Sequence, residues 1–372
     1  MEYVQERITT LHDFTDPSPD APVDRAAVVV PMTERDHASL AAERVLTTLE
    51  ALDPDRVVVP LRADPGSVGA VADWLDAYDI AAEPLWCDGP RLEELLEEAG
   101  LDGPRGKGRD VWLALGTAAS SSDYVVVHDA DSLSYSERHV RRLLFSLARG
   151  RSFTKGYYAR VENDRLYGRL FRLFYRPLVR ALDGLISAPF VDYLESFRYA
   201  LAGEVAVTSR TARRLSAQRG WGFEVGILGE AFSVAGFEGT AQVDLGVHEH
   251  DHRSVGGAGG LGDMSREVGR ALFHALSDHG IDPDVESLRS AYREAANRLV
   301  EQYAADAALN GLEYDLGAER EQIAAYVDAV TPPSDDDRLP PWIEAPLSPQ
   351  GVLEAARADL AAATDVDHVA SS

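Results

Sequence analysis

SSDYVVVHDAD, residues 121–131, decides the fold class. Tyr124 to Val127 form an unbroken run of one aromatic and three β-branched residues with no polar alternation, the pattern of a strand buried on both faces, and its polar end begins at His128. AAVVVP (26–31) and RVVVPL (56–61) are two more strands of this kind, and Ala38, Ala41, Val45, Leu49 and Leu52 fall at helical spacing between them. A third strand is expected near Glu83 to Cys87. GKGRDVWLALGTAA, from Gly106, reads as a helix opened by glycine. Strands alternating with helices predict a βαβ architecture with a mainly parallel sheet, whose ligands bind at the carboxyl ends of the strands. SFTKGYYARV (152–161), ALAGEVAVTS (200–209) and GTAQVDLGV (239–247) are further strand candidates.

The organisation expected along the chain is an N-terminal extension (1–25), a catalytic unit (26–255), a helical C-terminal region (256–330) and a loosely ordered tail (331–372). GGAGGLG, beginning at Gly256, is expected to form an exposed glycine-rich joint. Beyond it Val285, Leu288, Tyr292, Ala295 and Leu299 recur every three or four residues, an amphipathic helix that is a candidate dimer interface. PPSDDD, LPP and an Ala/Asp-rich end mark the tail.

Composition narrows the function. The 372 residues hold 36 Lys and Arg against 62 Asp and Glu, a net charge of −26, with a pI near 4.7. A field of that sign repels phosphate backbones and anionic lipid, so nucleic-acid or membrane binding is not the expected activity. A lone Cys87 excludes an intrachain disulfide, no apolar stretch is long enough to span a bilayer, and MEYVQERITTLHDF lacks the features of a signal peptide. A cytoplasmic address is expected. Lysine occurs only at Lys107 and Lys155, every other cation being Arg. An acidic, lysine-poor chain fits a salt-rich cytosol that screens its self-repulsion, with GC-rich codon bias as the alternative.

Five motifs carry candidate chemistry. Asp129 and Asp131 flank one small residue directly after a buried strand, where two carboxylates can hold a divalent cation and leave positions for diphosphate oxygens; the competing reading is a turn with two solvated acids. In GVHEHDH, His248, His250 and His252 would share one side of an extended segment, and one or more could complete a metal site, the alternatives being a zinc-like cluster or surface residues. Both lysines lie beside glycine, as expected of phosphate contacts, with incidental surface lysines as the alternative. Arg160, Arg165, Arg169, Arg172, Arg176 and Arg180, interleaved with aromatics, form either a local field for an anionic acceptor or a salt-bridged helix face. GWGFEVG places Glu224 among glycine and aromatic residues, suited to a carboxylate beside a sugar or to a satisfied helix-cap glutamate.

Taken in order, PMTE, GKG, DAD, GR-x(6)-RP, LAGE, GFEVG and LGVHEHDH resemble the glucosyl-3-phosphoglycerate synthases, retaining nucleotide-sugar glycosyltransferases of the GT-A fold. The resemblance covers residues 26 to 275, through MSREV. It implies a Rossmann-like, mainly parallel α/β sheet with a helical C-terminal extension. The implied function is transfer of glucose from a nucleoside-diphosphate sugar, UDP-glucose by preference, to 3-phosphoglycerate, a step towards a compatible solute, with Mg²⁺ or Mn²⁺ as cofactor. Carried over residue by residue, Pro31, Met32, Glu34, Lys107 and Asp129 would contact the donor. Asp129, Asp131 and His250 would hold the metal, Glu224 would stand near the reacting sugar with Asp131, and Lys155, Gly168, Arg169 and His252 would face the acceptor.

Several positions depart from the family's pattern. Gly-Arg-Val-Thr is usual where this chain has Gly168, Arg169, Leu170 and Phe171, so an acceptor-binding hydroxyl is lost. His248 and His252 replace the usual Arg and Asn around the metal histidine, and LRADPGS replaces an acidic D-S-x-S turn. Mannosyl-3-phosphoglycerate synthesis or another phosphorylated acceptor therefore stays open. Two other classes compete. A haloacid dehalogenase-type phosphatase also sets D-x-D after a strand, but usually continues it with Gly-Thr where this chain has Ser132 and Leu133. A non-catalytic nucleotide-sugar binder would bind without turnover.

Overall fold

The computed structural model describes residues 5–249, 260–333 and 335–370. His250, His252 and most of the expected glycine-rich joint lie outside them.

Eleven strands occur among the described residues: β1 (Thr9–Leu11), β2 (Ala26–Val29), β3 (Met32–Thr33), β4 (Arg56–Arg62), β5 (Ala82–Trp86), β6 (Tyr124–Val127), β7 (Phe153–Ala159), β8 (Val161–Glu162), β9 (Arg165–Leu166), β10 (Val205–Thr208) and β11 (Thr240–Val247). Nine build one sheet in the order β1-β11-β7-β10-β6-β2-β4-β3, with β5 also on β4, while β8 and β9 form a separate hairpin. Every pairing in the large sheet is parallel except those of β10, which runs antiparallel to both β6 and β7. In the centre β2 and β6 run in register from Ala26 beside Tyr124 to Val29 beside Val127.

Alternation along these strands divides the core between the two faces of the sheet. Val28, Val57, Val59 and Val126 pack on one face against Val45, Leu46 and Leu49 of helix Leu40–Leu52. Ser39 caps that helix, its Oγ accepting the Ala42 N–H at 3.1 Å. On the other face Val29, Val58, Val125 and Val127 meet Val111, Trp112 and Leu115 of helix Lys107–Ala118.

This second core continues into the C-terminal helices Leu261–Asp278, Val285–Asn310 and Leu316–Tyr326, so packing does not break at residue 255. Leu288, Tyr292, Ala295 and Leu299 are buried as their spacing predicts. They are covered within the chain itself, against helix Arg176–Leu185 and the π-helical turn Leu170–Tyr175, where the Tyr292 hydroxyl donates to the Leu173 carbonyl at 2.8 Å.

Two expectations need correction. The N-terminal extension supplies an edge strand, with Thr9 beside Ala241. The tail is ordered instead of loose: Leu339 and Trp342 are buried, and helix Pro349–Ala370 packs on helices Val68–Leu75 and Pro90–Glu98. Its Asp-rich composition suggested solvation, but Asp359 is itself buried as a cap, accepting the Arg91 and Leu92 N–H groups at 2.9 and 3.0 Å. Among the described residues no helix is long and apolar enough to cross a membrane.

Candidate active site

Three motifs separated in sequence converge on one ammonium group at the carboxyl rim of the sheet. Lys107 opens helix Lys107–Ala118, Asp129 comes just after β6, and Glu224 lies in the first turn of helix Phe223–Ala235. Lys107 Nζ stands 2.6 Å from Asp129 Oδ1 and 2.8 Å from Glu224 Oε1. Burial by itself would lower the lysine, but the two carboxylates outweigh it and hold the ammonium above its ordinary range.

The glycines beside Lys107 let two segments of backbone meet. Gly106 is extended, and a Cβ there would come 2.5 Å from the Arg219 carbonyl oxygen, while one on Gly108 would collide with that of Gln218. The Arg109 N–H donates to the Arg219 carbonyl at 2.9 Å. Both glycines thus let the turn before Glu224 lie directly against the helix start. Gly203 acts in the same way, since a Cβ there would run into the Asp129 carboxylate.

Around this pair the carboxylates are crowded. Burial first, and then Asp129, pushes the Asp131 carboxyl up to about 7 against the pull of Lys107. The same two causes push Glu204 up to about 7. Glu204 was missed as a functional residue in the sequence, although an acid directly before the apolar run VAVT, in the quoted LAGE, was the available signal. Hard carboxylate oxygens held at the cost of mutual repulsion suit a divalent cation such as Mg²⁺ or Mn²⁺, which would relieve that repulsion. Among the described residues no three metal-type side chains gather as a complete cation site. Glu249, the last described residue before His250, lies beside the D-x-D loop. Its carbonyl accepts the Leu133 N–H at 2.8 Å, and its N–H donates to Ser134 Oγ at 3.3 Å.

His248, by contrast, is buried in a stack on Tyr158, with ring centroids 4.2 Å apart and Nδ1 4.0 Å from Glu204 Oε1. His128 is also structural: its Nε2 lies 2.6 Å from the Tyr135 hydroxyl, and burial pushes it down to about 4, so it is neutral and fixes the loop after β6.

On the expected donor side Met32 pairs with Leu61 and is buried, while the Glu34 carboxylate accepts the Asp64 N–H at 3.1 Å. Pro31 is half-buried beside them. The ends of β3 and β4 thus form one rim, which Arg62 ties to Asp110 of the Lys107 helix at 2.8 Å.

The expected acceptor residues are spread more widely. Lys155, on β7, is 1% exposed, and its ammonium has no hydrogen-bond partner among the described residues. Burial pushes it down to about 8 in spite of Glu224 and Glu204, so it lies beneath the site and is not displayed as a surface contact. Gly168 takes a left-handed φ of 76°, and Arg169 Nε meets Glu319 Oε1 at 2.9 Å with the side chain 43% exposed. Arg172 shares Glu319 at 2.8 Å, Arg176 pairs with Glu195 at 3.0 Å, and Arg165 pairs with Glu313. Much of the basic cluster is therefore the salt-bridged face that was its alternative reading. Phe171 packs on Tyr199 at 4.7 Å between ring centroids and, with Tyr158, helps wall a cleft of about 600 Å³.

No protein-family model matches the chain. A glucosyl-3-phosphoglycerate synthase of Methanococcoides burtonii is 30% identical over an alignment that covers 93% of this chain and 94% of that protein. One of Persephonella marina is 38% identical over an alignment that covers 74% of this chain and 72% of the relative. Among solved structures, glucosyl-3-phosphoglycerate synthase of Mycobacterium tuberculosis in complex with Mn²⁺, UDP-glucose and glycerol 3-phosphate superposes with a TM-score of 0.54 at 25% identity, over 75% of this chain and 90% of that one. The same enzyme in complex with Mg²⁺ and UDP gives 0.54 at 25% identity, over 74% and 88%.

Proposed function

The chain belongs to the glucosyl-3-phosphoglycerate synthase family, and from that premise we propose that it transfers glucose from UDP-glucose to 3-phosphoglycerate with retention, using Mg²⁺ or Mn²⁺. The observation that carries this reading is the clamp of Lys107 between Asp129 and Glu224, which places a permanent positive charge between the D-x-D and the carboxylate expected beside the sugar.

Asp129 and Asp131, with His250 from the segment that Glu249 leads into, would hold the cation. When bound, that ion offsets the charge that builds on the departing nucleoside diphosphate. Lys107 would trade its contact with Asp129 for a phosphate oxygen of the donor while keeping Glu224 in place. Glu224, buried and tethered, is suited to accept a hydrogen bond from a hydroxyl of the glucose and fix its orientation. Pro31 and Glu34 would line the nucleotide side. Gly168 and Arg169 would face the acceptor, with Arg169 turning from Glu319 to a phosphate. The acceptor hydroxyl would attack from the face that the diphosphate leaves, its proton passing to the departing oxygen, so that no separate base is required.

A charge of −26 with lysine at two positions supports work in a salt-rich cytoplasm. Assembly as a homodimer through the C-terminal helices completes the proposal, and light scattering would test it.

The deciding experiment incubates the purified chain in molar salt with UDP-, GDP- and ADP-sugars, Mg²⁺ or Mn²⁺, and 3-phosphoglycerate beside other phosphorylated acceptors. Released nucleotide and the glycosylated product are both read. UDP release with 3-phosphoglycerate, abolished in Asp131→Ala, is expected. Release that survives Asp131→Ala, or none from any donor, overturns the proposal.

A further inference from the structure

The helix that presents Lys107 and the turn that leads to Glu224 are both held from behind by one short piece of the tail, residues 337–342. Leu339 pairs with Ala217 through reciprocal backbone hydrogen bonds of 2.9 and 3.0 Å. Arg219 Nε donates to the Asp337 carbonyl at 2.7 Å. Three residues beyond Leu339, Trp342 stacks on Trp112 of the Lys107 helix with ring centroids 4.6 Å apart. The two indoles also exchange hydrogen bonds with each other's strand of chain, Trp112 Nε1 to the Pro340 carbonyl at 2.8 Å and Trp342 Nε1 to the Trp112 carbonyl at 2.6 Å. Glycine at 116 makes room for this, since a Cβ there would run into the Trp342 ring.

These contacts form a closed mechanical circuit. The tail grips the helix through Trp112 and grips the 217–219 turn through Leu339 and Asp337, and that turn meets the helix again where the Arg109 N–H donates to Arg219. Inside the circuit Lys107 reaches Glu224 at 2.8 Å. Of the contacts this piece makes, those on Trp112, Ala217 and Arg219 bear on the pair through the elements that carry them, while Asp337 and Arg338 also reach Arg270 at 3.0 Å and Asp278.

We propose that Trp342 is a positioning residue for the Lys107–Glu224 pair, setting the spacing between the helix start and the 217–224 turn and through it the grip on the sugar donor. The inference rests on the reading of Lys107 as the donor contact.

The test uses the full-length chain and three variants. Trp342→Leu removes the stack and the indole donor, and Trp342→Phe keeps an aromatic ring. Asp359→Asn weakens the far end of the tail, where Asp359 caps helix Pro90–Glu98. Thermal midpoints, hydrogen exchange of peptides 106–112 and 217–224, and separate KM values for donor and acceptor are measured. Because a misplacement of about 1 Å can cost about a hundredfold, Trp342→Leu is expected to lower kcat/KM for the donor by about tenfold or more while speeding exchange in both peptides. The acceptor KM should stay near that of the wild type, Trp342→Phe should recover most of the loss, and Asp359→Asn should lower the midpoint with donor kinetics intact.

Unchanged donor kinetics and exchange in Trp342→Leu overturn the inference. So does an equal loss of donor kinetics in Asp359→Asn at a matched midpoint. If the wild type transfers no sugar while Trp342→Leu still loosens both peptides, the donor reading fails and the brace stands.

Discussion

Lys107 carries more of the site's electrostatics than its size suggests, because it is the cation shared by Asp129 and Glu224. Lys107→Ala leaves the buried Glu224 and the half-buried Asp129 without their shared cation, and kcat/KM for the donor should fall by about a hundredfold or more, measured as released UDP. Asp131 and Glu204 predict a pH effect of definite sign. Both carboxyls are pushed up to about 7, so the folded chain binds their protons more tightly than the unfolded chain does. Without added metal, their contribution therefore favours the fold at low pH and is lost as pH rises through about 7. Cation binding runs the other way, since protons compete for the same oxygens. Mn²⁺ titrated calorimetrically should bind more weakly at pH 6 than at pH 8, and added metal should raise the thermal midpoint more at the higher pH. Sequence alone showed Asp129, Asp131 and Glu224 as candidates because each sits in a local pattern. Glu204 escaped because its importance comes from neighbours that the fold supplies, Asp129 above all.

Among the elements, strands were the most legible part of the chain, since Val28, Val58 and Val126 announce burial by composition alone. Glycine was the least legible. Gly106 and Gly108 suggested an anion cradle, and what they face is the backbone of Gln218 and Arg219, more than a hundred residues away in the chain. No local pattern encodes which distant backbone will pass close by. Gly108→Ala would force helix and turn apart, so it should destabilise the fold by about 1–3 kcal/mol in denaturant unfolding and weaken donor binding at the same time. The basic run from Arg160 to Arg180 was ambiguous for a related reason: Glu319, which neutralises Arg169 and Arg172, lies on a helix that only tertiary packing brings near.

On the scale of the whole molecule, charge and tail pull in opposite directions. An excess of 26 negative charges repels itself, whereas the tail closes over helix Pro90–Glu98 and helix Lys107–Ala118 and buries Leu339, Trp342 and Val352. Raising NaCl from about 0.1 M to 2 M shortens the screening length from about 10 Å to below 3 Å, and the thermal midpoint should rise with it. A midpoint that falls with salt would contradict the halophilic reading. PPSDDD, LPP and the Ala/Asp-rich end pointed to a solvated tail, but a few large side chains in the right places outweigh that local composition. The one reversed strand, β10, has a wider effect. Neighbours that point the same way deliver their last residues to a common edge, and a strand of opposite direction delivers its first residue there, which is how Glu204 reaches the company of Asp129. In sheets of mixed polarity, a hunt for reactive groups confined to the residues just past each strand's end will overlook one wall of the chamber.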